Sequence, residues 1–195
     1  MSGFLLSNII ISISENDDEQ AFKELFQHFY PGLLSYACSI VKSTEDAEEV
    51  VENVFLKIWE ARAQLPAIQN FSHYLYTSAK NGCINLLQKN KKFVSNNDEE
   101  IEKFTYSFQT PESDLINAEN LRLILEIVNT LPPKCRLIFR LVKEEKLSYD
   151  EVAQLLNISP RTVNAQMTIA LSRIVEGLKS ALPEFSSFYF RKKIK

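Results

Sequence analysis

Apolar residues recur at helical spacing almost without interruption over residues 19–92, and no other feature of the sequence constrains the fold as strongly. The chain has only four glycines among 195 residues, and candidate strands are few. The pattern therefore predicts an all-α protein. It is interrupted at Pro31-Gly32, near Ser43-Thr44 and over residues 66–70, and these breaks predict roughly four helices within the stretch.

The third of these helices has the clearest start signal and two distinct faces. Ser43 or Thr44 stands before acidic residues, which favour a helix N-terminus. One broad apolar stripe is formed by Ala47, Val50, Val51, Val54, Phe55, Ile58 and Trp59. Outside this stripe is an acidic flank of Glu45, Glu48, Glu49, Glu52 and Asn53. Such a flank is typical either of a solvated helix face or of a surface for a basic partner, and Trp59 is expected to lie in the core.

Residues 90–115 are polar and acidic and lack convincing periodicity, so they predict a linker. Residues 95–129 carry a net charge of −6, whereas residues 130–195, with 12 Lys and Arg against 6 Asp and Glu, carry +6. A basic terminal domain in an acidic chain is typical of a nucleic-acid-binding module. The predicted organisation is a first domain at 1–94, a linker at 95–114, a second domain at 115–183 and a basic aromatic tail at 184–195.

Four helices are predicted in the second domain. The first covers about residues 112–130 and ends at the Leu-Pro-Pro sequence of residues 131–133, because proline cannot continue the backbone hydrogen bonds of a helix. Residues 134–144 form the second. The third ends at Leu156, and the fourth has Pro160 at its first position, where a missing N–H is tolerated.

The last two of these helices have the pattern of a helix-turn-helix. Ser148 and Ser159 are placed to cap them, and Asn157 between them can adopt the left-handed conformation often filled by glycine. The residues expected to fix the angle between the helices are Val152, Ala153, Leu156, Ile158, Val163 and Met167. The outer face of the last helix offers Arg161, Thr162, Asn164, Ala165, Gln166 and Thr168. Side chains of these types suit contacts with base edges, although an ordinary helical hairpin would have the same periodicity.

The sequence lacks the motifs that are typical of several classes of function. Cys38, Cys83 and Cys135 are odd in number and far apart, without a CxxC pair, which argues against a disulfide framework and a zinc site. His28 and His73 have no partner at ligand spacing. The sequence also lacks a phosphate-binding glycine loop and a nucleophile elbow, so it predicts no enzyme, cofactor, metal or small-molecule substrate.

The apolar run over residues 4–13 is too short to span a bilayer. It lacks basic residues before it, and acidic residues without a small-residue cleavage site follow it. We expect it to begin a helix that packs on the first domain of a cytoplasmic protein, without membrane insertion.

Three blocks of the chain resemble, in order, the bacterial sigma-70 family. Residues 46–61, DAEEVVENVFLKIWEA, are similar to region 2.2 of its extracytoplasmic-function (ECF) branch, and residues 70–92 are similar to regions 2.3 and 2.4. Residues 131–171, which include the helix-turn-helix, resemble region 4. The resemblance covers roughly residues 19–180. It implies an all-helical sigma factor of two small domains, which binds RNA polymerase core and directs promoter-specific initiation without catalysis of its own.

The resemblance assigns two partners to the first domain. The residues implied to dock on the clamp helices of the polymerase β′ subunit are Glu48, Glu49, Glu52, Asn53 and Phe55. Those implied to recognise and open the −10 promoter element are Phe71, Tyr74, Tyr76, Lys80, Asn81, Asn85, Lys89, Lys91 and Lys92. Aromatic rings stack on unpaired bases, amides read base edges and lysines hold phosphates, although each of the three aromatic residues suits the core equally well.

The second domain is implied to read the −35 element, and an anti-sigma factor is implied as a further partner. The residues implied to make the −35 contacts are Ser159, Arg161, Thr162, Asn164, Ala165, Gln166, Thr168 and Arg173. Three positions depart from the family pattern: Asn53 replaces an acidic residue, and Gln88 and Ile169 replace basic ones. Phosphate affinity lost at Ile169 is expected to come from Lys134, Arg136, Arg140, Lys143 or Arg173, or from the tail.

Two other interpretations stay open on the sequence. A transcription regulator would use the helix-turn-helix alone, with residues 19–94 as a sensing or dimerising domain, and would bind DNA as a dimer without polymerase. A sigma-like decoy that binds polymerase or an inhibitor without reading DNA is favoured by Asn53 and Ile169. Such a decoy should not respond to changes at Arg161 and Gln166.

Overall fold

The computed structural model describes residues 3–91 and 115–181, and every secondary-structure element in these two ranges is helical. The chain forms two compact units that divide near residue 104. The first unit contains α1 (Gly3–Asn16), α2 (Glu19–Val41), α3 (Thr44–Glu60), a 3-10 helix (Arg62–Ala67) and α4 (Phe71–Lys91). The second contains α5 (Leu115–Asn129), α6 (Pro133–Lys143), α7 (Tyr149–Leu156) and α8 (Pro160–Ala181). The all-α prediction is confirmed, whereas the predicted linker and tail lie outside the described residues.

α2 continues through Pro31, so the predicted break at Pro31-Gly32 is wrong. A proline inside a helix removes a backbone hydrogen bond and costs roughly 3 kcal/mol. The helix nevertheless continues, because it buries apolar side chains on both sides of the proline, including Phe29, Leu33 and Leu34. Each such side chain contributes about 1.5–3 kcal/mol when fully buried, which outweighs the loss.

α1 packs against α2 and the 3-10 helix, which confirms the helix predicted from the N-terminal apolar run. The side chains that it buries are Ile9, Ile10 and Ile13. The hydroxyl of Ser12 donates to the carboxylate of Asp18 at 2.7 Å, and the same carboxylate caps α2 by accepting from the backbone N–H of Ala21 at 3.0 Å. A short corner at residues 17–18 therefore fixes α1 to the start of α2. Among the described helices, none has the length and apolar character needed to cross a membrane.

α3 packs against both α2 and α4, and its predicted start is confirmed. Ser43 caps the helix by accepting a hydrogen bond from the backbone N–H of Asp46 at 3.1 Å. The buried stripe consists of Ala47, Val50, Val51, Val54, Phe55 and Ile58. α3 and α4 approach closely at Gly82, where a Cβ atom would lie 2.8 Å from Cγ1 of Val50. Position 82 therefore accepts no side chain unless Val50 moves.

Gly82→Ala is expected to destabilise the first unit. A β-branched residue such as Val50 is stiff within a helix, so the added methyl group overpacks the contact and costs roughly 1–3 kcal/mol. The higher helix propensity of alanine offsets at most about 1 kcal/mol of this. Thermal unfolding followed by circular dichroism should give a lower Tm for Gly82→Ala. Combining it with Val50→Ala should leave the protein more stable than the two single changes predict, by about 1 kcal/mol, and strict additivity would contradict the contact.

α8 is the central helix of the second unit, since α5, α6 and α7 all pack against it. One core cluster consists of Val128, Leu131, Cys135, Ala170 and Ile174. The helix predicted over residues 112–130 is described from Leu115 to Asn129. The Leu-Pro-Pro sequence separates it from α6, as predicted, with Pro133 as the first residue of α6.

α7 and α8 form the predicted helix-turn-helix. At the start of α7, Ser148 Oγ accepts from the N–H of Glu151 at 3.2 Å, and the Glu151 carboxylate accepts from the N–H of Ser148 at 2.7 Å. Asn157 ends α7 in the left-handed conformation, with φ 52° and ψ 49°. Ser159 caps α8 by accepting from the N–H of Thr162 at 3.1 Å. The helix-turn-helix and these three local predictions are confirmed.

The predicted core of the helix-turn-helix differs from the observed one at the end of α7. Leu155 is buried, with 4% exposure, whereas the predicted Leu156 is only half-buried. Leu156 is the last residue of α7, where the chain leaves the core towards Asn157. Four other side chains expected to fix the angle between α7 and α8 are buried: Val152, Ala153, Val163 and Met167. Ile158 is half-buried.

Candidate protein and nucleic-acid interfaces

The outward face of α3 is polar and acidic around one exposed apolar residue. Glu49, Glu52 and Asn53 are exposed, and the side chain of Leu56 is 60% exposed. Because Leu56 follows these residues by seven, four and three positions, all four share one helix face. We name these four residues the α3 face. An apolar side chain surrounded by carboxylates suits a partner surface that is basic with an apolar recess.

Two members of the predicted docking set lie away from the α3 face. Glu48 is half-buried towards α2. Burial, with a smaller contribution from the Glu48 carboxylate, raises the pKa of the Cys38 thiol on α2. Phe55 is 2% exposed and belongs to the core. Phe55 therefore cannot offer its ring to a partner in this structure, whereas the docking role of the half-buried Glu48 stays a prediction.

A groove of about 610 Å³ lies between α2 and α3. It is lined by Glu19, Phe22, Phe26, Glu52, Phe55, Leu56 and Trp59. Trp59 is half-buried and forms part of the wall, so it is not the fully buried residue that the sequence predicts. The α2/α3 groove is apolar inside and carries the exposed carboxylates of Glu19 and Glu52.

Five aromatic rings of α2 and α3 form a continuous series of contacts, and four of them, all but Tyr30, line this groove. Their centroids are 4.7 Å apart for Tyr30 and Phe26, 4.6 Å for Phe26 and Phe55, 6.2 Å for Phe55 and Phe22, and 4.9 Å for Phe22 and Trp59. Aromatic pairs of this kind contribute about 0.5–1.5 kcal/mol each beyond the area they bury. Phe22 and Phe26 were not among the predicted site residues, although their spacing of four residues, continued at Tyr30, is a signal for a ring on each turn of one helix face.

Two aromatic residues of the predicted −10 set are core residues. Phe71 is 4% exposed and its ring centroid lies 5.8 Å from that of Phe29. Tyr76 is 1% exposed and its centroid lies 5.4 Å from that of Tyr36. Their rings cannot stack on a base in this structure, so the alternative of a core role holds for both. Tyr74 remains as the exposed aromatic of the set, with 37% exposure.

A second groove, of about 550 Å³, lies between α3 and α4. α3 contributes Glu49, Asn53 and Lys57, and α4 contributes Tyr74, Ser78, Asn81, Asn85 and Lys89, with apolar side chains between them. The α3/α4 groove thus combines an aromatic ring, three amides and two ammonium groups. It also unites residues that the sequence assigned to two different partners.

The lysines of the predicted −10 set are spread over α4 and beyond. Lys89 lines the α3/α4 groove, whereas Lys80 is half-buried and does not line it. Lys91 is the last residue of α4. The side chain of Lys91 and the whole of Lys92 lie outside the described part of the chain. Lys57 was not among the predicted residues, because its place in the groove depends on how α3 packs against α4.

The predicted −35 residues lie on α8 and at its N-terminus. Those that are exposed are Ser159, Arg161, Asn164, Ala165, Thr168 and Arg173, while Thr162 and Gln166 are half-buried. The hydroxyls of Ser159 and Thr162 are hydrogen-bonded to each other at 2.8 Å, and Thr168 donates to the carbonyl of Asn164 at 2.9 Å. Arg161 and Asn164 are therefore the exposed long polar side chains best suited to base edges.

The sequence matches two parts of one family in the order of the two units. Sigma-70 region 2 matches residues 25–93, and Sigma-70, region 4, matches residues 121–174. The chain is a member of the sigma-70 family. Its similarity to named ECF proteins, over most of both chains, places this sigma factor in the ECF branch.

Three curated relatives illustrate the similarity of this sigma factor to that branch. It is 24% identical over 178 residues to the ECF RNA polymerase sigma-E factor of Haemophilus influenzae, covering 86% of this chain and 92% of the relative. It is 26% identical over 171 residues to the ECF RNA polymerase sigma factor RpoE of Cereibacter sphaeroides, covering 84% and 89%. The Escherichia coli K12 sigma-E factor is 23% identical over 175 residues, covering 86% and 91%.

Two solved structures are similar to this sigma factor. CnrH in complex with the cytosolic domain of CnrY is 17% identical, with a TM-score of 0.43, and covers 91% of this chain and 96% of its own. The sigma factor RpoE in complex with the anti-sigma factor NepR from Bartonella quintana is 21% identical, with a TM-score of 0.47, and covers 81% and 96%.

Two of the basic residues expected to compensate for Ile169 in this sigma factor are engaged elsewhere. The guanidinium of Arg136 donates to the carbonyl of Asn129 at 2.7 Å, and that of Arg140 donates to the side-chain oxygen of Asn129 at 3.1 Å. Burial, and to a lesser extent the neighbouring Arg140, lowers the pKa of the Arg136 guanidinium. Arg136 thus supplies a donor to a backbone carbonyl at the C-terminus of α5, where unpaired carbonyls need donors, and Arg140 holds the side chain of the last residue of that helix.

Among the five basic residues of α6 and α8 predicted to compensate for Ile169, the exposed ones are Lys134, Lys143 and Arg173. Ile169 itself is 42% exposed on α8, so this departure from the family pattern is on the surface. Of the cations predicted to compensate for Ile169, these three are exposed, whereas Arg136 and Arg140 are half-buried.

Proposed function

We propose that this ECF sigma factor joins core RNA polymerase through a first domain at 1–94 and reads one promoter element with each domain. α4 contributes the contacts to the −10 element, and α8, in a second domain at 115–183, contributes the contacts to the −35 element. The exposed polar face of α8 within a capped helix-turn-helix is the observation that supports this most directly. The sigma factor works in the cytoplasm with the polymerase and performs no catalysis itself.

The α3 face supplies the polymerase contact. Glu49 and Glu52 attract a basic surface and orient its approach, which acts mainly on the rate and the register of association. Leu56 supplies the apolar contact at the centre, where truncation of an anchor side chain has its largest effect. The clamp helices of the β′ subunit are the proposed partner, as the family resemblance implies. Asn53 keeps a hydrogen-bonding group at a position where the family carries a charge.

The α3/α4 groove receives the opened −10 element. The exposed ring of Tyr74 offers a stacking surface for an unpaired base, and Asn81 and Asn85 offer donors and acceptors for its edge. Lys89 at the same groove is placed to hold a phosphate. The groove volume of about 550 Å³ is in the range of a small-ligand pocket, which suits one nucleotide base with part of its backbone.

An anti-sigma factor is a further proposed partner, on the basis of the ECF resemblance. Its binding surface would overlap the α3 face, the exposed polar face of α8, or both, because masking either of these faces prevents promoter-specific initiation. The proposal includes no small-molecule ligand.

Reconstitution with purified core RNA polymerase tests the function. Added sigma factor should give promoter-specific run-off transcripts from a library of genomic templates of the host. Free-standing DNA binding by a dimer, with no transcripts and no complex with core polymerase, would instead identify a regulator that uses the helix-turn-helix alone.

Tyr74→Ala is expected to reduce these transcripts while Tyr74→Phe preserves them, because the ring rather than the hydroxyl provides stacking. One base–aromatic contact contributes about 1–3 kcal/mol, so the loss should be about 5- to 150-fold. Reactivity of unpaired thymines with permanganate should fall in parallel in the Tyr74→Ala complex. Equal transcription from the Ala and Phe variants would contradict the stacking role of Tyr74 without affecting the polymerase contact.

A further inference from the structure

Trp59 is the last of the series of aromatic rings in the α2/α3 groove, and its ring is contacted by a residue that does not line the groove. The guanidinium of Arg62, at the start of the 3-10 helix, lies with Cζ 4.8 Å from the centroid of the Trp59 ring. The same guanidinium donates to the backbone carbonyl of Trp59 at 2.9 Å through Nη1. Arg62 therefore contacts both the ring and the backbone of the residue that forms the end wall of the groove.

Asp17 holds the other side of the Arg62 guanidinium. Its carboxylate accepts a hydrogen bond from Nε of Arg62 and forms an ion pair with it. Asp17 lies in the corner between α1 and α2, in the left-handed conformation with φ 50°. The hydrogen bond from Arg62 lowers the pKa of the Asp17 carboxyl, so the carboxylate is charged throughout the physiological range. α1 is thus connected to the groove through two side chains.

The corner that carries Asp17 is itself fixed. Asp18 caps α2 and accepts from Ser12 of α1, and Phe22, one turn into α2, is the ring that touches Trp59. Trp59 is consequently held by contacts from α2 through Phe22 and from the α1–α2 corner through Asp17 and Arg62. A planar guanidinium is suited to this because it stacks on a ring and donates in its own plane to two acceptors at once.

We propose that Asp17 and Arg62 form a clamp that orients Trp59 as the end wall of the α2/α3 groove, so that the affinity for core polymerase depends on the α1–α2 corner. Arg62 is a positioning residue in this proposal and does not itself meet the polymerase. The proposal rests on the α3 face as the polymerase contact, because Glu52 and Leu56 belong both to that face and to the groove that Trp59 closes.

Trp59 is the only tryptophan in the chain, so its fluorescence reports the clamp directly in the free, full-length protein. Arg62→Gln should shift the emission maximum to longer wavelength and raise quenching by acrylamide, because the ring loses its cation and moves. Asp17→Asn should do the same to a smaller degree, and Arg62→Lys should retain part of the wild-type signal. Arg122→Gln is the matched control, since it removes an arginine from another ion pair, with Glu126 on α5, in the unit without Trp59.

The same proteins are then compared for binding to core polymerase. A cation–π contact at an exposed site contributes about 0.5–1 kcal/mol, so Arg62→Gln should weaken binding by about two- to fivefold while Arg122→Gln leaves it unchanged. Circular dichroism melts identify any variant that fails to fold, and Asp17→Asn, at a side chain that is 65% exposed, carries the test in that case.

Three results would overturn parts of the proposal. Trp59 fluorescence in Arg62→Gln and Asp17→Asn that matches Arg122→Gln would exclude the clamp. An altered fluorescence with unchanged polymerase affinity would exclude its role in docking. Failure of the wild-type protein to bind core polymerase would overturn the proposed function and with it the docking role, while the fluorescence would still decide whether Asp17 and Arg62 orient Trp59.

Discussion

Reversing two charges on the α3 face, with Glu49→Lys and Glu52→Lys together, is expected to abolish stable binding of this sigma factor to core RNA polymerase. Both carboxylates are exposed and share the face with Leu56, so each attraction to a basic partner becomes a repulsion when lysine replaces glutamate. Close charge pairs at an interface have coupling energies of about 1.5–7 kcal/mol, so the Kd should rise by at least about 100-fold. The change in Kd is measured by titrating purified core enzyme over immobilised sigma factor.

A matched control carries the same change of charge at sites away from both grooves. Glu15→Lys and Glu24→Lys together alter exposed glutamates on α1 and α2, and neither residue lines a groove of the first unit. This control should bind core polymerase nearly as well as the wild type. Raising the salt concentration should weaken polymerase binding by the wild type and by the control by the same factor, because exposed charges are screened. Equal binding by the two double variants would show that polymerase docks elsewhere.

Arg161→Ala is expected to remove discrimination at one base pair of the −35 element. Arg161 is exposed in the first turn of α8, at the end of a recognition helix that meets base edges. A bidentate contact with guanine contributes about 1–3 kcal/mol of discrimination, so transcription from the preferred promoter should fall by about 5- to 150-fold. Run-off transcription from promoters randomised over the −35 element should show relaxed preference at a single position.

Arg173→Ala is the matched control for Arg161→Ala, because it removes the same side chain from the same helix. Arg173 follows Arg161 by 12 residues, which places it about 120° further around α8, away from the N-terminal turn. Loss of a phosphate contact there should weaken all promoters alike and reduce the salt dependence by about one phosphate contact. A decoy that does not read DNA would respond to neither change.

The local elements of this fold could be predicted from the sequence because their causes are local. Ser43, Ser148 and Ser159 each satisfy an N–H group within three residues, and Asn157 adopts its left-handed conformation next to the helix that it ends. The all-α class follows from the same periodicity that places Val50 and Ile58 in the core. None of these features needs knowledge of a distant part of the chain.

The errors arise where distant helices decide the outcome. Pro31 stays inside α2 because the helix is packed on both sides of it. Phe71 and Tyr76 are buried because α2 supplies Phe29 and Tyr36 as neighbours, which the periodicity of α4 cannot reveal. The candidate site was therefore predicted in composition but not in arrangement, since the grooves exist only once α2, α3 and α4 are packed together.

α3 contributes both to the proposed polymerase contact and to the α3/α4 groove. Glu49 and Asn53 belong to the α3 face and also line the wall opposite Tyr74 and Asn81, so a protein bound to α3 alters the groove that receives DNA. By thermodynamic reciprocity, whatever factor polymerase applies to the affinity for the unpaired strand, the strand applies to the affinity for polymerase. We therefore expect polymerase and the unpaired strand to change each other's affinity for this sigma factor by the same factor, and substitutions that adapt α3 to a new polymerase to be accompanied by changes in the −10 sequence that it accepts.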